Sequence, residues 1–170
     1  MRFINILLVL LLVLSFSSMT FAQAQEDSLG MTPAEFISNY NVTVSTLLGD
    51  DAASPILIRE AKYSVSSEFD LMSTKIESCN ILFHINKSGN LGFIHISGSK
   101  NSKDVVDGVS SIVGLFMLAV NKGYGLEDIK PFVDKIKTAI MSKDETNEIK
   151  YRGRIYKITT SGVAIQCVIL

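Results

Sequence analysis

The sequence predicts an α+β domain: an antiparallel sheet of about five to six strands with helices packed on one face, in a single domain. Three observations carry this. Apolar residues recur at three- and four-residue spacing in residues 32–48 and 126–141. They alternate every second residue through much of residues 56–97 and 149–170. The segments come in the order helix, strands, two helices, strands, which suits an antiparallel sheet covered by helices rather than an alternating parallel fold.

Ahead of that domain, Met1-Arg2 supplies a short positive start, Ile4 to Leu14 is an apolar run broken only by Asn5, and Ala22-Gln23-Ala24 offers small residues at a cleavage point. That succession predicts a secretory signal peptide over residues 1–24, with cleavage after Ala24 or alternatively after Ala22. The apolar run is shorter than the ~20 residues a membrane span requires. Residues 25–31 read as a flexible polar leader, and residues 32–170 as the domain.

Thr32-Pro33-Ala34-Glu35 is a helix start, with Thr as cap, Pro in the first turn and Glu three residues after the cap. Phe36, Ile37, Tyr40, Val44, Leu47 and Leu48 form its apolar stripe, and Gly49 ends it. The period then changes to two. Strands are expected near Ile56–Lys62 and Tyr63–Met72, followed by a hairpin of Lys75–Asn86 and Leu91–Ser97 around Lys87-Ser88-Gly89-Asn90. A register in which opposed residue numbers sum to 177 places Ile81, Phe83, Ile85, Ile94 and Ile96 on the core face. Leu82, His84, Phe93 and His95 then share the other face.

Asn101 to Lys103 offer caps for a helix from about Asp104 to Asn121. It is apolar nearly all round and therefore expected to be buried, with Gly108, Ser111 and Gly114 as a ridge for close approach. A third helix is expected over Leu126–Met141, with Pro131 in its first turn or marking its start. Residues 142–148 read as a charged linker, and a last hairpin as Ile149–Thr159 and Val163–Leu170.

Two cysteines in an exported chain predict a disulfide, Cys79 to Cys167, because parity places both on the core face. His84 and His95, the only histidines, lie diagonally on the other face. A zinc site needs three or four ligands and no third one joins them by pattern, so no metal and no cofactor are expected. No Gly-x-Ser-x-Gly elbow, acid/base dyad or phosphate loop is present. Asn41-Val42-Thr43 and Asn86-Lys87-Ser88 match the glycosylation triplet.

The formal net charge is −1, and the predicted signal carries only Arg2 of the charged residues, leaving about −2. Neither a basic run nor a high pI points to nucleic acid. By elimination the sequence predicts a soluble periplasmic or secreted protein, not an enzyme, that binds another protein as an inhibitor, an immunity-like protein or an accessory factor. No membrane association is expected once the signal is removed. Leu82, His84, Phe93 and His95 are the candidate binding face, to which protonation below about pH 6.5 adds up to two charges. Two alternatives remain: a carrier of small apolar ligands in a sheet–helix cavity, and a hydrolase whose site is assembled from distant residues.

Overall fold

Thr32 opens the first helix as its spacing predicts. Its Oγ1 accepts a hydrogen bond from the Glu35 N–H at 3.2 Å, and Glu35 Oε2 accepts from the Thr32 N–H at 2.7 Å, which closes a capping box. Helix α1, Pro33–Leu48, carries Phe36, Tyr40 and Val44 on its buried stripe. The structure is a computed structural model and describes residues 28–49, 56–65, 70–99, 103–121, 123, 125–142, 144–161 and 164–170. The predicted signal peptide, the Asn101 cap and the Gly162-Val163 turn lie outside the described residues.

After α1 come strands β1 Lys62–Val65, β2 Asp70–Ile76, β3 Cys79–Ile85 and β4 Leu91–Ser99, helices α2 Lys103–Val120 and α3 Leu126–Met141, and strands β5 Thr146–Tyr151, β6 Arg154–Ser161 and β7 Ala164–Ile169. The strands form one antiparallel sheet in the order β1-β2-β3-β4-β7-β6-β5. The fold is therefore the α+β arrangement the sequence predicts, with seven strands rather than five to six.

One face of the sheet is the core. Met72, Ile81, Phe83, Ile94, Ile96, Ile169, Cys167, Tyr156 and Ile158 alternate inward and are buried. Phe116 of α2 meets Phe36 and Tyr40 edge-on, each at 4.9 Å between centroids, and Phe83 of the sheet closes the group against Phe36 at 5.4 Å. Under α3, Phe132 packs on Tyr156 at 4.6 Å and Tyr151 at 4.8 Å. Such aromatic pairs add about 0.5–1.5 kcal/mol each beyond the area they bury.

Two glycines set the spacing of these layers. A Cβ at Gly98 of β4 would lie 2.8 Å from Val109 Cγ2, so glycine there lets α2 sit directly on the central strand. A Cβ at Gly114 would lie 2.6 Å from Val133 Cγ2, and α3 approaches α2 through that gap. The predicted ridge thus works at Gly114, whereas a Cβ at Gly108 would find nothing nearer than 3.9 Å.

Several predicted boundaries move. Residues 56–61 are not a strand. Asn41 at the middle of α1 both donates to the Ile58 carbonyl and accepts from the Ile58 N–H, drawing that segment onto the helix instead. Residues 75–86 are cut by a tight turn at Glu77-Ser78, and residues 149–159 by one at Arg152-Gly153, where φ is 52° and 77°. The supposed linker therefore contributes β5, the seventh strand. Pro131 stands in the second turn of α3, whose start is fixed by Asp128 Oδ2 accepting from the Gly125 N–H at 3.1 Å.

The end of the leader is tied down. The Leu29 N–H donates to the Leu91 carbonyl at 2.8 Å, the Leu91 N–H donates to the Met31 carbonyl at 2.8 Å, and Arg154 donates to the Leu29 carbonyl at 2.8 Å. Leu29 itself is buried, which explains why residues 28–31 are part of the fold rather than a loose tail.

Candidate functional site

The face of the sheet turned away from the helices is built by the residues between the core positions. From β2 these are Leu71, Ser73 and Lys75, from β3 Asn80, Leu82 and His84, and from β4 Phe93, His95 and Ser97. Strand β7 adds Gln166 and Val168, and β6 adds Ile155 and Lys157. The described helices pack on the other face, through the aromatic groups above. Leu82, His84, Phe93 and His95 therefore do come together on one surface, as the register predicts. His84 opposes Phe93, and Leu82 opposes His95.

Across β3 and β4 the pairing follows the predicted sum of 177 up to His84 and then shifts by one, with Ile85 opposite Leu91. Gly92 is the extra residue of that bulge. A Cβ at Gly92 would lie 2.9 Å from His84 Nδ1, so the bulge glycine leaves the space the imidazole fills. The imidazole in turn stacks on Phe93, with centroids 4.6 Å apart and planes at 9°. On the far side of the bulge, Asn86 Oδ1 accepts from the N–H groups of Ser88 and Asn90 and from the Ser88 hydroxyl, which holds the five-residue loop.

The surface is less wet than an open sheet face suggests. His84 is only 8% exposed, while Leu71, Leu82, Phe93, His95 and Val168 are half-buried. Among the described residues, His95 Nε2 is buried without a hydrogen-bond partner. Burial holds both imidazoles below their ordinary pKa, because loss of water penalises the charged ring. At one end of the face lies an open concavity of about 1110 Å³, lined by Arg59, Lys62, Lys75, Leu82 and His95 among others.

Among the described residues no group of three or more His, Cys, Asp or Glu side chains could hold a metal ion. His84 stacks on Phe93, and His95 is half-buried opposite Leu82.

The predicted Cys79–Cys167 disulfide is a correction. Both thiols are free and buried on the core face, as parity requires, but β4 runs between their strands. Two strand spacings are about 10 Å, beyond the ~4.4–6.8 Å between Cα atoms that a disulfide tolerates. Burial pushes the Cys79 thiol up and that of Cys167 up to about 12, so neither is poised as a nucleophile. Asn41, the first glycosylation triplet, is occupied by its two hydrogen bonds to Ile58.

Sequence reasoning missed Leu71, Val168 and Ile155, which extend the apolar strip to either side, and Lys62, Lys75 and Lys157, which flank it. The alternation of Leu71, Ser73 and Lys75 carries the signal. It becomes readable only when the Glu77-Ser78 turn fixes β2 against β3.

No protein-family model matches the chain, and neither a curated protein nor a solved structure is significantly similar to it.

Proposed function

We propose that this chain is an exported, soluble protein of non-enzymatic type, periplasmic or secreted, that acts by contact with another protein. An inhibitor, an immunity-like protein or an accessory factor would each work in this way. The observation that carries the reading is the open sheet face, where Leu71, Leu82, Phe93 and Val168 lie side by side around two imidazoles. A contiguous apolar patch left facing solvent is the usual mark of an interaction surface. Phe93, held rigid by its stack on His84, is suited to act as the anchor.

A carrier of apolar ligands would need room between sheet and helices. Phe36, Tyr40, Phe83, Phe116, Phe132 and Tyr156 fill that layer, and the apolar stretch of α2 serves the core rather than a ligand. The surface reading is favoured for that reason. The test compares wild type with Phe93→Ala and His95→Ala as bait against an extract of the compartment. A specific partner lost on substitution, with melting temperature unchanged, supports the docking face. Retention of that partner, or a large fall in melting temperature, overturns it.

A further inference from the structure

The charge on the open face differs from that of the whole chain. The sequence is nearly neutral, at −1. On the open face the register places Lys62 of β1, Lys75 of β2, Lys157 of β6 and Lys150 of β5, all exposed. Among the described strand residues of that face one carboxylate stands, Glu148, and it is already paired with Lys150 at 3.7 Å on the far edge. Of the other acids, Glu60 lines the concavity together with Arg59, Lys62 and Lys75, where the cations outnumber it, and Asp107, Glu127, Asp128 and Asp134 are on α2 and α3.

The lysines frame the apolar strip instead of mixing with it. Lys62 and Lys75 stand at the β1–β2 end, where the 1110 Å³ concavity opens beside Leu82 and His95. Lys157 and Lys150 stand at the β6–β5 end. Six strand spacings separate β1 from β5, about 29 Å. A fully extended segment of nine residues reaches about 30 Å.

We propose that the partner presents an extended acidic segment, with apolar residues at its centre and carboxylates at both ends, which crosses the strands of this face. The central side chains pack on Leu82, Phe93 and Val168. The flanking carboxylates meet Lys62 and Lys75 at one end and Lys157 at the other. Charge complementarity of this kind sets register and speeds encounter more than it adds affinity. The inference rests on the reading that the open face is the docking surface.

The probe is a synthetic nonapeptide of three Glu, Leu-Phe-Leu and three Glu, with companions carrying Gln or Lys in place of Glu, titrated into the full chain. The Glu peptide should bind saturably, shift the NMR signals of Leu82, Phe93 and Val168, and weaken as salt rises to ~0.3 M. Lys62→Glu together with Lys75→Glu should weaken it about tenfold, whereas Lys130→Glu with Lys135→Glu on α3 should change it less than about twofold. If all three peptides shift the same residues with equal affinity, the acidic partner is wrong while the docking face stands. If the shifts map elsewhere, or none occur, both fall. Tighter binding of a single-stranded oligonucleotide or of anionic phospholipid vesicles than of the Glu peptide overturns the assignment to a protein segment.

Discussion

The imidazole of His84 stacks on the Phe93 ring, with centroids 4.6 Å apart, and its Nδ1 lies 2.9 Å from where a Cβ at Gly92 would stand. The bulge and the stack are therefore one device. Gly92→Ala should push the imidazole off Phe93 and destabilise the protein by about 1–3 kcal/mol, as overpacking does. Removing the ring first should relieve the clash. In a double-mutant cycle with His84→Ala, the cost of Gly92→Ala should shrink to a small fraction of its value, and chemical denaturation measures both. Equal costs in the two backgrounds would show that the ring is not what occupies the space.

The same burial predicts a pH dependence whose sign runs against the usual histidine case. Both imidazoles titrate below their ordinary value in the folded chain because desolvation disfavours the charged ring. On acidification the unfolded chain takes up protons first, near its ordinary pKa of about 6.5. The stabilisation is fully present above about pH 6.5 and declines as the pH falls towards the lowered folded values. His84→Gln together with His95→Gln should flatten the stability curve over that interval. Melting temperatures across pH 7.5 to 4.5, fitted for both chains, decide it; parallel curves would remove the histidines from the explanation.

Maturation can be predicted from the contacts of Leu29. Leu29 is buried and its backbone is bonded to Leu91 and Arg154, so a cut beyond it would remove a part of the core. Cleavage after Ala24 or Ala22 spares those contacts. Intact-mass measurement of the exported protein should place its first residue at Gln25 or Gln23. A product lacking Leu29, or an uncut chain held in the membrane, would contradict the signal reading.

How far the sequence could be read depended on the kind of signal. The faces of β3, β4, β6 and β7 follow from alternation alone, and the capping box of α1 from four consecutive residues. The two-residue turns were hard to read for a physical reason. Glu77 adopts φ of 50°, a conformation its side chain gives no hint of, so that turn hid inside an apolar alternation, whereas at Arg152-Gly153, with φ of 52° and 77°, the glycine was the one visible sign. Strand order was equally out of reach. Whether β3 or β4 would neighbour β7 depends on how α2 and α3 carry the chain across, and no local pattern encodes that.

The cysteines show the consequence. Parity assigned Cys79 and Cys167 to the correct face, yet β4 stands between them. Peptide mapping without reductant should recover both as separate thiols, and a thiol reagent should label them only on unfolding, since both are buried. Cys167→Ser should cost roughly 1–3 kcal/mol by placing a hydroxyl among apolar neighbours, even though no covalent bond is lost. A linked peptide pair would require a different order of the central strands.

Gly114 and Gly108 make a paired test of the helix layer, because they lie on the same helix and differ only in what a side chain would meet. At Gly114 a Cβ would fall 2.6 Å from Val133 Cγ2 and 3.2 Å from Ile129 Cγ1, both side chains of α3 held against α2. Gly114→Ala should therefore drive α3 outward and cost about 1–3 kcal/mol despite the gain in helix propensity. At Gly108 the nearest atom is Glu77 Oε2 at 3.9 Å, an ordinary contact with the end of a flexible side chain. Gly108→Ala should stabilise by about 0.5–1 kcal/mol, because alanine loses less backbone freedom on entering a helix. Opposite signs in thermal denaturation are the expected result. Destabilisation at both positions would mean that α2 meets a further surface at Gly108, whereas tolerance at both would mean that α3 does not pack through Gly114.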